Sequence, residues 1–563
     1  MTETRKDILW RVYLIYFSVM AFAVAIVIKL SLIQFRDGDK LREIAESQEI
    51  LQLTLEASRG NILAADGSLL ATSVPVFEVR MDVASPYVTD ELFYAKIDSI
   101  AGGLSQILGR QSQAYYKNYI IKARKKGNRY LLLGKRVSYD ELKQIKELPI
   151  FRRGKYQGGL ITIQTTRREL PFHNLAERTI GYEIKSENLH VGLEGAYGET
   201  LKGTNGKQIV RRINNGDIIP IHDDNAIDPR DGLDIITTLD VNIQDIAENA
   251  LLRQLMNHKA FWGCAVIMEV KTGYVRAIAN LQYDSSDGKY KELYNHAIGA
   301  SIEPGSTFKL PNIMAALEVG NIRLSDSVIT NEGFAVVKNV PVQDVKKIGN
   351  GRVAVRDVVE NSSNVGMAIV MNRAFEDDPA KYVDKLYDMS LNQPLGLAIQ
   401  GEGKPKIKHP DDKDWWGTTL TVMSYGYELR LTPLQLLTFY NAVANNGKMV
   451  KPIFVTEIRD GVSVRKTFGP EVINPQIASA ETIRQAKSLL EGVVIRGTGK
   501  NVFSGSPYRI AGKTGTAKIA SGGKYNKEYN ASVVGYFPAD NPKYSCIVVI
   551  NKPTAGKYYG GSV

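Results

Sequence analysis

Cysteine is nearly absent from this 563-residue chain, since Cys264 and Cys546 allow at most one internal bridge. Both lie in apolar, strand-like runs, so free buried thiols are expected. Six histidines are scattered without ligand spacing and without a cysteine pair, so no zinc site, other metal or cofactor is expected. No nucleic-acid module signature occurs either. The excess of 71 Lys and Arg over 60 Asp and Glu leaves +11, which suits anionic partners in general. Its densest stretch, "KARKKGNRY" (122–130), reads as a solvated basic face, and nucleic acid is not an expected partner. A phosphate loop is missing too. "IAGKTGTAKIA" (510–520) supplies Gly512, Lys513 and Thr514, but the first glycine of G-x-x-x-x-G-K-[ST] would be Pro507, and Gly505 stands two places early. Proline has no N–H to offer an anion.

Long apolar runs are rare as well, with one exception at 10–35, "WRVYLIYFSVMAFAVAIVIKLSLIQF". With Lys29 snorkelling, it reaches the roughly 20 residues that cross a bilayer, and Trp10, Tyr13 and Tyr16 suit an interfacial belt. A cleaved signal peptide is disfavoured by length and by the lack of a small-x-small cleavage site. A buried core helix is disfavoured by the terminal position beside basic residues. Orientation is nearly a tie by charge, with Arg5, Lys6 and Arg11 before the run and Arg36, Lys40 and Arg42 after it.

The length, with 44% hydrophobic and 23% charged residues, predicts two or three globular domains. Residues 53–82 read as short strands, with Asp66-Gly67 as a hairpin signal. Residues 90–150 have mixed helical periodicity, "GGLITIQTT" is strand-like, and 192–231 is rich in glycine and charge. A domain boundary is expected near 225–232, beside "DPRDG". Beyond it, "LDIITTL" predicts a strand and Asp240 caps the helix "VNIQDIAENALLRQL". "CAVIMEV" and "YVRAIANL" form a hairpin, and a largely helical stretch runs from about 305 to 500. Inside that stretch, Thr432, Pro433 and Gln435 mark a capped helix start. "ASVVGYFPA" and "YSCIVVIN" close the chain as strands around Asn541-Pro542. The expected class is α+β, with one sheet closed by amino- and carboxy-terminal segments.

Three short patterns carry chemistry. "EPGSTFKLP" places Ser306 three residues before Lys309, on one side of a helix start. A serine hydroxyl needs an adjacent base, and a lysine neutralised by burial and neighbouring charge can serve. "ENSSNVGMA" offers Ser362 and Asn364, which read either as helix caps or as a proton relay and a peptide-orienting amide. Lys513, Thr514, Gly515 and Thr516 read either as an exposed strand or as a carboxylate grip with room for substrate backbone. Singly each is weak. Together, and in this order, S-x-x-K, S-x-N and K-T-G form the signature shared by β-lactamases and penicillin-binding proteins, with Ser363 replacing the middle aspartate.

The chain resembles a class B penicillin-binding protein, a membrane-anchored DD-transpeptidase, over nearly its whole length. "RGNILAADGSLLA" and "GLEGAYGETLKGTNG" resemble the family's pedestal. "ITTLDVNIQDIAENAL", "YNHAIGASIEPGSTFKL", "SSNVGMA", "TPLQLLTFYNAVANNGKMVKP" and "AGKTGTA" resemble its transpeptidase landmarks. The resemblance implies an anchor at 1–36, a β-rich, dimerisation-type pedestal at 37–228 and an antiparallel sheet flanked by helices at 229–563. It further implies Ser306 as nucleophile, Lys309 as base, Ser362 and Asn364 as relay and peptide holder, and Lys513, Thr514, Gly515 and Thr516 around the terminal carboxylate. Backbone N–H groups of Ser306 and Thr516 would form the oxyanion hole. Substrates would be peptidoglycan stem peptides, a D-Ala-D-Ala donor and an amine acceptor, with β-lactams as covalent inhibitors. The catalytic part would lie outside the cytoplasmic membrane and the amino terminus inside.

Pro311 is expected to make the helix start irregular, and the stop at "YYGGSV" reads as a truncated transpeptidase domain. A β-lactamase-like hydrolase or β-lactam sensor shares the three motifs, although neither needs a pedestal. A scaffold for other wall-synthesis proteins is a further alternative. No glycosyltransferase-like segment precedes the transpeptidase, which leaves glycan polymerisation to a partner. "SYGYELRLTPLQLLTFYNAVANNGKMVKP" and "RGTGKNVFSGSPYRIAGKTGTAKI" resemble the division-specific branch. Ala21, Ala23 and Ala25 leave room for packing against a membrane partner.

Overall fold

Period-two alternation sorts the strand Trp262–Glu269 (β1) onto two faces. Cys264, Val266 and Met268 enter the main helical core. Ala265 faces the other way, into a smaller cluster with Leu251 and Leu255. Five more strands complete an antiparallel sheet: Val275–Asp284 (β2), Lys289–Lys291 (β3), Ala511–Ser521 (β4), Lys524–Phe537 (β5) and Tyr544–Asn551 (β6). Their order is β3-β2-β1-β6-β5-β4, so β1 pairs with the last strand and β4 forms an edge. The expected closure of one sheet by both ends of the domain is therefore present. This computed structural model describes residues 3–39, 50–184, 187–212, 218–220, 227–348, 351–522 and 524–562. Lys40, Arg42 and residues 225 and 226 of the expected boundary lie outside the described residues.

Two units divide the chain. One comprises residues 59–74, 168–202 and 232–563, and the other 1–58, 75–167 and 203–231. In the larger unit the helix Val241–His258 (α1) covers one sheet face, its start fixed by Asp240, whose carboxylate accepts from the Asn242 and Ile243 N–H groups. Lys309–Val319 (α2), Asn364–Phe375 (α3), Pro433–Ala444 (α4) and Ala480–Ile495 (α5) contribute to the core on the other face. All twelve residues of α4 are buried, and it begins with the expected Thr432–Gln435 capping box and Pro433 at its first position. A helix buried on every side belongs at the centre of a core. Asp66-Gly67 makes the expected turn, with Gly67 at φ +88° and Asp66 accepting from the Ser68 N–H.

Two expectations need correction. "LDIITTL" does form a strand, Asp234–Thr237, but it pairs with Val455–Asp460 and Ile62–Leu63 outside the six-stranded sheet. The stretch 305–500 is also less helical than expected. Ser327–Ile329 pairs with Arg352–Ala354, Phe334–Val337 with Val340–Gln343, and Met449–Val450 with Val472–Asn474. These runs are too short for periodicity to separate them from helix. The Phe334–Gln343 hairpin turns through Lys338 and Asn339, both at positive φ, the backbone a two-residue loop requires.

The smaller unit has its own core of Val79, Phe93, Ile97, Ile100, Leu104, Ile120, Leu133 and Ile145. Its helices Asp90–Leu108, Gln113–Lys125 and Tyr139–Lys146 are capped by Thr89, Ser112 and Ser138. Lys122, Lys125, Lys126 and Arg129 of the basic stretch are exposed as expected. Arg124 is different, donating to the Val83 and Val88 carbonyls and pairing with Asp90. In this unit the apolar run is a single helix, Glu3–Phe35, whose 27 residues from Leu9 to Phe35 span about 40 Å. It is long and apolar enough to cross a membrane. Cys264 is buried and Cys546 partly so, and both are free.

Candidate active site

Gly305 opens the site. Its φ is +56°, and a Cβ there would stand 2.9 Å from the Ala517 Cβ and 3.2 Å from the Thr516 carbonyl oxygen. Glycine thus lets the turn lie against the edge strand β4. Residues Gly305–Phe308 form one 3₁₀ turn before α2 begins at Lys309. In a 3₁₀ turn residues i and i+3 eclipse, which sets Ser306 and Lys309 on one side. Pro311 falls in the first turn of α2, where helical N–H groups lack partners in any case. The Thr307 carbonyl, four residues back, accepts instead from the buried Tyr440 hydroxyl of α4 at 2.7 Å. The irregular start expected from Pro311 is present, and α4 braces it.

Lys309 is fully buried, and its Nζ donates to the Ser362 carbonyl (2.7 Å), the Asn364 Oδ1 (2.7 Å) and the Ser362 Oγ (3.3 Å). Lys513, on β4 and also buried, donates to the same Ser362 Oγ at 2.9 Å and to the Thr514 carbonyl at 3.0 Å. One hydroxyl therefore bridges two lysines that lie 204 positions apart in the chain. Burial, and then the charge of Lys513, hold the Lys309 ammonium well below its ordinary value, with Asp344 opposing. Burial alone brings Lys513 down to about 7. The Ser306 hydroxyl is half-buried and makes no side-chain hydrogen bond to Lys309, whose donors are turned toward Ser362 and Asn364.

Ser362 sits at φ +60° in the turn between Val355–Glu360 and α3. Ser363 is the N-cap of α3, accepting from the Gly366 N–H at 2.8 Å and donating to Asp344 Oδ2 at 2.7 Å. The other Asp344 oxygen accepts from the N–H groups of Asn364 (2.5 Å) and Val365 (2.9 Å). A carboxylate is thus present beside the S-x-N turn, supplied by a hairpin earlier in the chain. Sequence reading missed Asp344, because nothing local ties it to Ser363 until the hairpin folds back. The Asn364 side-chain amide lies between Lys309 and the Gln343 carbonyl.

On β4 the Thr514 hydroxyl meets that of Thr498 at 2.8 Å, and the half-buried Thr516 Oγ1 accepts from the Gly560 N–H at 3.2 Å. Gly515 has no room for a side chain, since a Cβ would lie 2.4 Å from the Ser532 Oγ and 2.8 Å from the Thr307 Cγ2. The Lys518 N–H donates to the Tyr427 hydroxyl at 2.8 Å. Among the described residues no cluster of three or more His, Cys, Asp and Glu could hold a metal ion. The fold therefore gathers Ser306, Lys309, Ser362, Asn364 and the Lys513–Thr516 run around one edge strand.

Residues 263–563 match the model of the penicillin binding protein transpeptidase domain. The chain belongs to the penicillin-binding protein family. Residues 54–237 of this penicillin-binding protein match the family's dimerisation domain. It is similar to the Stage V sporulation protein D of Bacillus subtilis (29% identical, covering 98% of this chain and 83% of that one). It is similar also to the peptidoglycan D,D-transpeptidase FtsI of Escherichia coli K12 (28% identical, covering 100% and 90%). In fold it resembles penicillin binding protein 2X of Streptococcus thermophilus (TM-score 0.72, 22% identical, covering 90% and 78%). The chain is a class B member, a serine-type DD-transpeptidase of peptidoglycan cross-linking.

The buried ammonium of Lys513 has a signed consequence for stability. Its folded value, about 7, lies below the ordinary value of 10.5. As pH rises from about 7 the unfolded chain holds the extra proton, so the native state gains, whereas below about 7 both states carry the charge and the burial cost is felt in full. Relative to the parent, Lys513→Met is expected to be favoured more at about pH 6 than at about pH 9, measured as urea midpoints. An equal midpoint difference at the two pH values would contradict a buried ammonium at this position.

Proposed function

We propose that Ser306 is the acylated nucleophile and Lys309 its general base. Ser362 carries protons between Lys309 and the leaving or attacking amine, and Asn364 aligns the peptide. Lys513, Thr514, Gly515 and Thr516 form the subsite of the donor's terminal carboxylate, and the N–H groups of Ser306 and Thr516 hold the oxyanion. The observation that carries this reading is the single Ser362 hydroxyl hydrogen-bonded to both lysines.

Lys309 must be neutral to accept a proton, and burial beside the Lys513 charge favours that form. The Ser306 Oγ attacks the carbonyl between two D-alanines and its proton passes to Lys309. The C–N bond then breaks, the proton reaches the departing amine through Ser362, and D-alanine leaves. A primary amine of a second stem peptide attacks the ester, loses its proton along the same path, and Ser306 is released as the hydroxyl. β-Lactams acylate Ser306 in the first step and stall the second. The two N–H donors would each supply a few kcal/mol to the tetrahedral intermediate.

The reading extends to the whole chain. Residues 1–36 form a cytoplasmic tail and membrane anchor, 37–228 the pedestal and 229–563 the transpeptidase domain, outside the cytoplasmic membrane. The enzyme works at the septum beside a glycan polymerase and other division proteins, a role supported by the likeness of 424–452 and 496–519 to the division branch.

Intact mass spectrometry is expected to show one penicilloyl adduct on the parent and none on Ser306→Ala; an undiminished adduct at another residue would sink the assignment. The full chain should pellet with membranes and resist alkaline extraction, while a version starting at Asp37 should stay soluble. Recovery of mature protein cleaved after Phe35 would replace the anchor with a signal peptide. Depletion should yield filaments that elongate without septa. Rounded cells would assign the enzyme to elongation, and normal division with failed sporulation would assign it to spore formation.

A further inference from the structure

Glu360 is a carboxylate with 1% of its surface exposed, at the end of the helix Val355–Glu360 and two residues before Ser362. Arg496 grips it with both arms, Nη2 to Oε1 at 2.6 Å and Nε to Oε2 at 3.1 Å. Such a forked pair fixes orientation as well as distance. Two glycines make the approach possible. A Cβ on Gly492 would lie 2.0 Å from the Glu360 Oε1, and one on Gly497 would lie 2.0 Å from the Glu360 carbonyl oxygen. The next residue, Thr498, then donates its N–H to that same carbonyl at 3.2 Å. Its backbone being held there, Thr498 places its Oγ1 2.8 Å from the Oγ1 of Thr514. Thr498 is exposed and Thr514 keeps 9% of its surface exposed, so the hydroxyl pair lies at the margin of the buried site.

An ion pair whose arginine side chain is 54% exposed contributes little net stability, because solvent screens it. This one joins the segment carrying Ser362 to the segment facing Thr514. Two hydroxyls in contact share one proton, which leaves the other proton free to point away from the pair. When Thr498 donates to Thr514, the Thr514 proton is left for an acceptor on the open side, and the donation polarises it.

We propose that Thr498, anchored by the Glu360–Arg496 pair, is a positioning residue that aims the Thr514 hydroxyl at the donor's terminal carboxylate and so sets the preference for a free carboxylate. The proposal rests on the reading of Thr514 and Thr516 as the carboxylate subsite. Thr498 acts through Thr514 and stands outside the S-x-x-K, S-x-N and K-T-G motifs.

The test compares acylation rates of the full-length enzyme by benzylpenicillin and by its carboxylate methyl ester. In the parent the acid should react faster than the ester; equal rates there would defeat the carboxylate-subsite reading itself. Thr498→Val, nearly the same shape without the hydroxyl, is expected to lower the acid-to-ester ratio severalfold and at most about tenfold, the effect of one neutral hydrogen bond. Thr498→Ser should restore it. Arg496→Met, which frees the anchor, should lower the ratio as Thr498→Val does, and the double variant should lose no more than either alone. A parent that discriminates, with Thr498→Val keeping the full ratio, would overturn the proposal. So would an Arg496→Met protein, folded by near-ultraviolet circular dichroism, that keeps it.

Discussion

Two lysine side chains, both nearly without solvent contact, end on one serine hydroxyl, and much of the site's architecture answers that arrangement. Two ammonium ions cannot share a dry pocket without cost, so the pair favours states in which one of them is neutral. The Ser362 Oγ is the group through which they meet, at 3.3 Å from Lys309 and 2.9 Å from Lys513. Asp344 brings the neighbouring opposite charge while spending its oxygens on Ser363 and the first N–H groups of α3. An anion at a helix start is well placed, and here it also holds the turn that presents Ser362. The positive φ of Ser362 persists because the surrounding bonds over-determine it.

The bracing extends beyond the charged groups. The missing N–H of Pro311 leaves the Thr307 carbonyl free for Tyr440, which ties the nucleophile's turn to the most buried helix of the domain. Gly305 and Gly515 remove the side chains that would hold that turn away from β4. The nucleophile, the bridging serine and the edge strand thus occupy three separate segments joined by close backbone approach and a few hydrogen bonds.

Local signals were legible where local chemistry decides the outcome. Asp240 caps α1, Thr432 and Gln435 cap α4, and Asp66-Gly67 turns a hairpin, because each needs only its own few neighbours. The motif order was legible too, and it led to the family. Partner choice was hidden. Spacing sets Ser306 and Lys309 on one side, but the direction of the Lys309 donors depends on Ser362 and Asn364, more than fifty residues away. Asp344 and Thr498 were invisible for the same reason, each reaching the site only after the chain folds back. Strands of three or four residues between 327 and 354 carry too little alternation to announce themselves.

The pairing of β1 with β6 has a consequence in time. Trp262 lies opposite Asn551, so the centre of the sheet joins residues made hundreds of positions apart. A chain growing from its amino terminus presents β1 with one edge open until the last strands are synthesised, and such long-range closures are slow. Ser306 and Lys309 exist long before Lys513 does. The chain therefore carries its nucleophile without Lys513 for about two hundred residues of synthesis, and the two lysines meet only once β6 and β5 have brought the edge strand β4 into the sheet.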